Sequence, residues 1–158
     1  MGAVERVQER LAASGLGLAI VHLDKDTRTA ELAAQALGTE VGAIVKSLVF
    51  VADGETVLAL VSGDKRAAPG LIARLLSASE VEIARAAAVK ERTGFAIGGV
   101  PPVVTDGEGR QVRTLMDRSL LRYPTVYAAA GSPFAIFPVS PADLERLTGA
   151  TIANVVEE

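Results

Sequence analysis

The chain is 158 residues long and 49% apolar, with 16 Lys and Arg against 19 Asp and Glu for a net charge of −3. A chain of about 150 residues buries roughly 70% of its unfolded surface, enough for one domain with its own core. The absence of cysteine removes disulfides, zinc–thiolate sites, iron–sulfur clusters and cysteine nucleophiles, and the single histidine, His22, removes any metal site built on several imidazoles.

No run approaches the about 18 consecutive apolar residues that cross a bilayer, so no membrane is expected as a partner. The acidic balance argues against a general nucleic-acid binder, DNA included, and leaves room for a local basic patch on one RNA end. Met1 to Arg6 leads directly into an amphipathic pattern and lacks the parts of a secretory signal, so a cytoplasmic location is the expectation. Without a low-complexity linker or an internal repeat, residues 1–158 read as one domain.

In chain order, Val4, Val7 and Leu11 form the apolar stripe of a first helix that stops at Ser14-Gly15. Leu16 to Leu23 reads as a strand. Thr29 to Leu37 reads as a helix capped by Thr29 and ended by Gly38. Ile44 to Val51 and Thr56 to Val61 are β-rich runs joined by Asp53-Gly54, a strong hairpin signal. Ala67 to Leu76 is a helix with Pro69 in its first turn, and Ala86 to Arg92 a short one closed by Thr93-Gly94. Gly98-Gly99-Val100-Pro101-Pro102 forbids regular structure. Val112 to Met116, Thr125 to Ala130 and Phe134 to Phe137 are strand candidates. Ser140-Pro141 opens a last helix, and Thr151 to Val155 adds a final strand. With no regular βαβ alternation, this order indicates an α+β fold with a mixed, largely antiparallel curved sheet and surrounding helices.

Few residues offer chemistry. Lys46 interrupts an apolar strand, where it either snorkels to solvent along its stem or holds a charge at the floor of a cleft. The two glycines at 98 and 99 permit close approach to the main chain, and the prolines after them stiffen the exit; the segment is either a rigid turn or a wall that presents bare N–H and C=O groups. It matches neither a P-loop nor a dinucleotide fingerprint. There is no GxSxG elbow for His22 to serve. Asp117 is either an acid–base group or a cap. Ser62 to Arg66 reads as a turn whose Lys65 and Arg66 are able to meet phosphates. Arg92, Arg110 and Arg113 are further cations, either on a solvated surface or at the same mouth.

These pieces together resemble the YbaK/prolyl-tRNA-synthetase-associated (INS-like) editing domain family. The resemblance rests on the lysine strand Ile44 to Phe50, the turn Ser62 to Arg66 and the segment Thr93-Gly94-Phe95-Ala96-Ile97-Gly98-Gly99-Val100-Pro101-Pro102. Leu115-Met116-Asp117 and Val126 to Gly131 complete it, so it spans nearly the whole chain. It implies a freestanding aminoacyl-tRNA deacylase, a hydrolase of translation fidelity. Such an enzyme edits tRNA mischarged with a small amino acid (Cys, Ala, Ser or Thr, with tRNA-Pro in view) without metal or cofactor. It further implies Lys46 as the central catalytic residue and Gly98, Gly99, Val100, Pro101, Thr29, Asp117 and Gly131 around the aminoacyl group. Lys65 and Arg66 fall on the tRNA acceptor end, with a synthetase or elongation factor as a further partner. Residues 131–136 lack the histidine of some alanine-editing members and the acid of cysteine-editing ones, so no subfamily is assigned. The alternatives are a noncatalytic tRNA- or synthetase-binding module of the same fold, and an esterase of small metabolites.

Overall fold

The computed structural model describes residues 1–158. Helix α1 (Ala3–Ser14) buries Val7 and Leu11, as their spacing predicts, and ends at Gly15 in the left-handed region. The strand expected over residues 16–23 shrinks to β1 (Val21–His22). Gly17, at φ +74°, turns the chain out of the extended region, and Leu18 and Ile20 pack on the core without a partner strand. Helix α2 (Ala30–Leu37) carries both expected caps: Thr29 Oγ1 accepts from Leu32 N, and Gly38 takes φ +66°.

Strands β2 (Val45–Ala52) and β3 (Glu55–Ser62) form the predicted hairpin. Asp53 and Gly54 take φ of 47° and 85°, the left-handed pair a two-residue type I′ turn requires. Helix α3 (Pro69–Leu76) begins on its proline, where a missing N–H costs nothing. Strand β4 (Val81–Ile83), absent from the sequence expectations, pairs antiparallel with residues 50–52. The Asp53 carboxylate ties it in by accepting from the main-chain N–H groups of Ser79 and Glu80.

Helix α4 (Ala86–Thr93), β5 (Arg113–Asp117), β6 (Val126–Ser132), β7 (Ala135–Val139), α5 (Pro141–Thr148) and β8 (Thr151–Ala153) complete the chain. The strands divide between two sheets, in the orders β4-β2-β3-β5-β8 and β1-β7-β6. β3–β5 and β5–β8 are parallel and the other strand pairs antiparallel, so the architecture is mixed and largely antiparallel. The main core lies between the sheets, where Val45, Val49, Leu58 and Leu60 meet Val126, Ala128, Phe137 and α1. A second cluster, around Phe50, Val57, Val61 and Ile72, packs α3 on the other face. No helix is long and apolar enough to cross a membrane.

Candidate active site

The alternating strand geometry places Lys46, Leu48 and Phe50 on the α3 face of β2, and Val45, Ser47 and Val49 toward the second sheet. At this end of β2, neighbouring strands leave its outer edge open. β4 stops at its pair with Phe50, and only an isolated bridge from Ile44 to Tyr127 reaches β6. Two clefts flank the open segment. One, of about 380 Å³, lies between the sheets and is walled by Thr27 to Glu31, Ile44 to Val49, Ile97, Gly98, Val100 and Tyr127, among others. The other, of about 480 Å³, is lined by Glu31, Lys46, Asp64, Lys65 and Arg66 with Leu48 and Phe50. Lys46 and Glu31 border both.

Lys46 neither snorkels freely nor lacks a partner. Its ammonium is half-buried and donates to the main-chain carbonyl of Lys65. That carbonyl sits on a turn held from several sides. Gly63 N donates to Ile44 O at 2.8 Å, and Lys65 N to Ser62 O at 3.0 Å. Arg122 clamps the turn from outside, with both guanidinium nitrogens on the Asp64 carboxylate (2.8 and 3.1 Å) and one on Ser62 Oγ (2.9 Å). The Arg122 hydrogen bond holds Asp64 below the ordinary carboxylate range. Gly63 is obligatory, because a Cβ there would stand 2.2 Å from the Val41 carbonyl. The geometry thus aims one N–H of Lys46 at protein and leaves two for a ligand.

Burial lowers the Lys46 pKa from its ordinary value; Glu31 and Asp64 oppose that shift, and Arg66 adds to it. The cation is therefore incompletely neutralised, since neither carboxylate forms an ion pair with it. A partly desolvated ammonium of this kind is suited to an incoming negative charge.

The other sequence-predicted residues separate into those that face the clefts and those that stand behind them. Thr29, Gly98 and Val100 wall the inter-sheet cleft, and Lys65 and Arg66 the second one. Gly99, Pro101, Asp117 and Gly131 line neither. Gly99 is buried, and its carbonyl accepts from Gly131 N at 3.0 Å, which locks the glycine segment to β6. A Cβ on Gly99 would stand 2.9 Å from Ser132 N. Gly131, at φ +95°, instead lets the start of α1 approach: a Cβ there would stand 2.9 Å from the Ala3 carbonyl. Gly99→Ala is therefore expected to push the segment off β6, destabilise the protein by about 1–2 kcal/mol and disorder the Gly98–Val100 wall. Thermal melts together with ligand affinity check this; unchanged values for both contradict it.

Asp117 takes the capping alternative. It is 2% exposed, and its carboxylate accepts from Ser119 N, Ser119 Oγ and Val155 N. His22 is exposed on β1 and lines neither cleft. Arg92, Arg110 and Arg113 do not share a mouth with Lys65 and Arg66. They surround a separate depression beside Glu55 and Thr56, where Arg110 pairs with Glu108 and Arg92 donates to Thr56 Oγ1. Val61, the partner of Lys46, lies five positions along β3 from Thr56, or about 17 Å of extended strand. Glu31, Ser47 and Tyr127 line the inter-sheet cleft without having been singled out in the sequence. Of these, only Ser47 carries a local signal, a polar residue between two inward valines.

Comparison with known proteins adds to this geometry. Residues 24–147 match the family model of the aminoacyl-tRNA editing domain. The uncharacterized protein YwhH of Bacillus subtilis is 31% identical over 137 residues, covering 82% of this chain and 80% of its own length. The proline–tRNA ligase of Desulfovibrio desulfuricans is 43% identical over 70 residues, which make up 44% of this chain and 12% of the ligase. The solved structure of a proposed trans-editing enzyme for prolyl-tRNA synthetase superposes with a TM-score of 0.90 at 45% identity, covering 100% of this chain and 99% of that one.

Proposed function

Because the chain belongs to the aminoacyl-tRNA editing domain family, we propose that residues 1–158 act as one freestanding deacylase that hydrolyses the ester of tRNA mischarged with a small amino acid. The likeness to a proposed trans-editing enzyme and to parts of proline–tRNA ligases favours tRNA-Pro as the carrier. One observation carries the reading: Lys46 lines two clefts of unlike character, and its ammonium reaches the turn that carries Lys65 and Arg66. The mostly apolar cleft suits a small acyl side chain, and the cleft with Lys65 and Arg66 suits the terminal nucleotide and its phosphate.

An aminoacyl ester is already activated, so positioning and charge stabilisation carry most of the work. Water oxygen bonds to the acyl carbon, the bond to the ribose oxygen breaks, and the ribose hydroxyl keeps one proton of the water. The other proton leaves with the carboxylic acid and passes to solvent. Lys46 stabilises the negative charge that builds on the ester oxygens in between. Gly98 and Val100 limit the room beside the acyl carbon, so larger side chains are excluded by volume, whereas smaller ones are hard to reject. With few cations at the site, a synthetase or elongation factor supplies much of the tRNA discrimination.

The working form of Lys46 is the cation, so the alkaline limb of activity lies below the pH at which an unperturbed lysine loses its proton. Arg66→Ala removes a cation that lowers this pKa and moves the limb to higher pH. Glu31→Gln removes an anion that raises it and moves the limb to lower pH. Background-corrected rate profiles check both signs, and shifts of the two variants in the same direction contradict the assignment.

The experiment for the function itself is a panel of tRNA-Pro charged with Ala, Cys, Ser, Thr and Pro. Release of at least one small amino acid, with prolyl-tRNA spared, is the expected result. Binding of tRNA with no ester hydrolysed would make the chain a recognition module instead.

A further inference from the structure

The β2 ladder leaves part of its outer edge, around Ser47, without a partner strand. Gly63 N donates to Ile44 O on one edge of the strand, and Ala84 N donates to Val49 O, at 2.9 Å, on the other. Main-chain groups of successive residues alternate between the two edges. Lys46 and Leu48 therefore face β3, and Val45, Ser47 and Val49 face outward. β4 and Ala84 cover that outer edge from the Val49 carbonyl onward, and an isolated bridge links Ile44 to Tyr127 before it. Between these two points no strand is laddered onto the outer edge at Ser47, and its N–H and C=O make none of the main-chain hydrogen bonds that tie β2 to turns and loops. The Ser47 hydroxyl is shielded from water and has no partner. A shielded hydroxyl without a partner costs free energy, and beside it the open strand edge at the cleft wall offers a donor and an acceptor to a ligand.

The gap has the pattern of a missing residue in an antiparallel ladder. In such a ladder, a residue exchanges both its N–H and its C=O with a single residue opposite. An aminoacyl group is one residue of main chain, with an α-ammonium to donate and a carbonyl to accept. We propose that the open edge of β2 at Ser47 is the subsite for the main-chain portion of the aminoacyl group, an inference that rests on the deacylase reading. Ser47 C=O accepts from the α-ammonium, and Ser47 N–H donates to the ester carbonyl oxygen and stays on it as charge develops. The adjoining Lys46 then acts with this N–H on the same oxygen. The main chain recognises what all aminoacyl groups share, and selection among side chains falls to the apolar walls.

The test uses a non-hydrolysable probe, adenosine carrying an alanyl amide at the 3′ position, with the whole ¹⁵N-labelled chain. The Ser47 amide is expected to exchange with solvent rapidly in the free protein and at least tenfold more slowly at saturation. The same probe made with a propionyl group, which lacks the α-ammonium, is expected to bind at least tenfold more weakly. Should the alanyl probe shift the amides of Lys46 and Gly98 to Val100 while Ser47 exchange stays unchanged, the subsite is wrong and the deacylase reading stands. Equal affinity for the two probes, or no binding of either at millimolar concentration, also overturns the subsite. Ester hydrolysis in the charged-tRNA panel then shows separately whether the deacylase reading falls with it.

Discussion

Lys46→Ala is expected to slow aminoacyl-ester hydrolysis by about 10²–10³-fold, the usual loss when an oriented electrostatic donor is removed from a site where charge develops. The fold survives the change. Lys46 pairs with Val61 through main-chain groups, which alanine retains, and its side chain is half-buried rather than part of either core cluster. The Lys65 carbonyl loses one donor but borders a cleft open to water. Lys46→Met, which keeps the stem and removes the charge, is expected to match alanine in rate. Rates for both variants, alongside their melting curves, check this. Near-wild-type turnover in a folded Lys46→Met protein would show that the charge does not act on the ester.

Asp117→Ala is expected to lower stability by about 3 kcal/mol, or roughly 6–12 °C in melting temperature for a domain of this size. The carboxylate joins three segments: the end of β5 that carries it, the turn at Ser119, and the chain after β8 at Val155. Val155 is fully buried, so its N–H loses its only acceptor in a place water does not reach. Because Asp117 lines neither cleft, the folded fraction of the variant retains the wild-type turnover number. A full-strength melting temperature combined with a large loss of turnover is the opposite pattern, and it would return Asp117 to the acid–base role.

Local signals in the sequence carried much of the fold. The caps at Thr29 and Gly38, the Asp53-Gly54 turn, and Ser140-Pro141 at the start of α5 each act within four residues, and each forms as expected. Lys46 was legible for a similar reason, since a cation in an apolar strand is conspicuous without knowledge of its neighbours. What escaped depends on distant partners. β4 has three residues with an exposed Ile83 and Glu82, so its identity comes from pairing with β2 rather than from its own pattern. The run over residues 16–23 has strand-like composition, but β7 offers it pairing only at Ala135 and Ile136.

The site shows the same division. Glycines at 98, 99 and 131 were visible as glycines, yet the surfaces that demand them are Arg28, Ser132 and Ala3 respectively, all remote in sequence. Arg122 is an ordinary arginine until Asp64, 58 residues earlier, is brought against it. The open edge at Ser47 depends on where β4 ends and where β6 touches β2. No periodicity within residues 44–51 encodes that gap.

Whether this chain turns over an aminoacyl ester is decided by following amino-acid release from mischarged tRNA-Pro under substoichiometric enzyme, with uncatalysed hydrolysis subtracted. Many turnovers per enzyme are expected for at least one of Ala, Cys, Ser or Thr, with that turnover lost in Lys46→Met. Release no faster than the uncatalysed rate for all four, from folded protein that binds the tRNA, would show that the chain is not a deacylase.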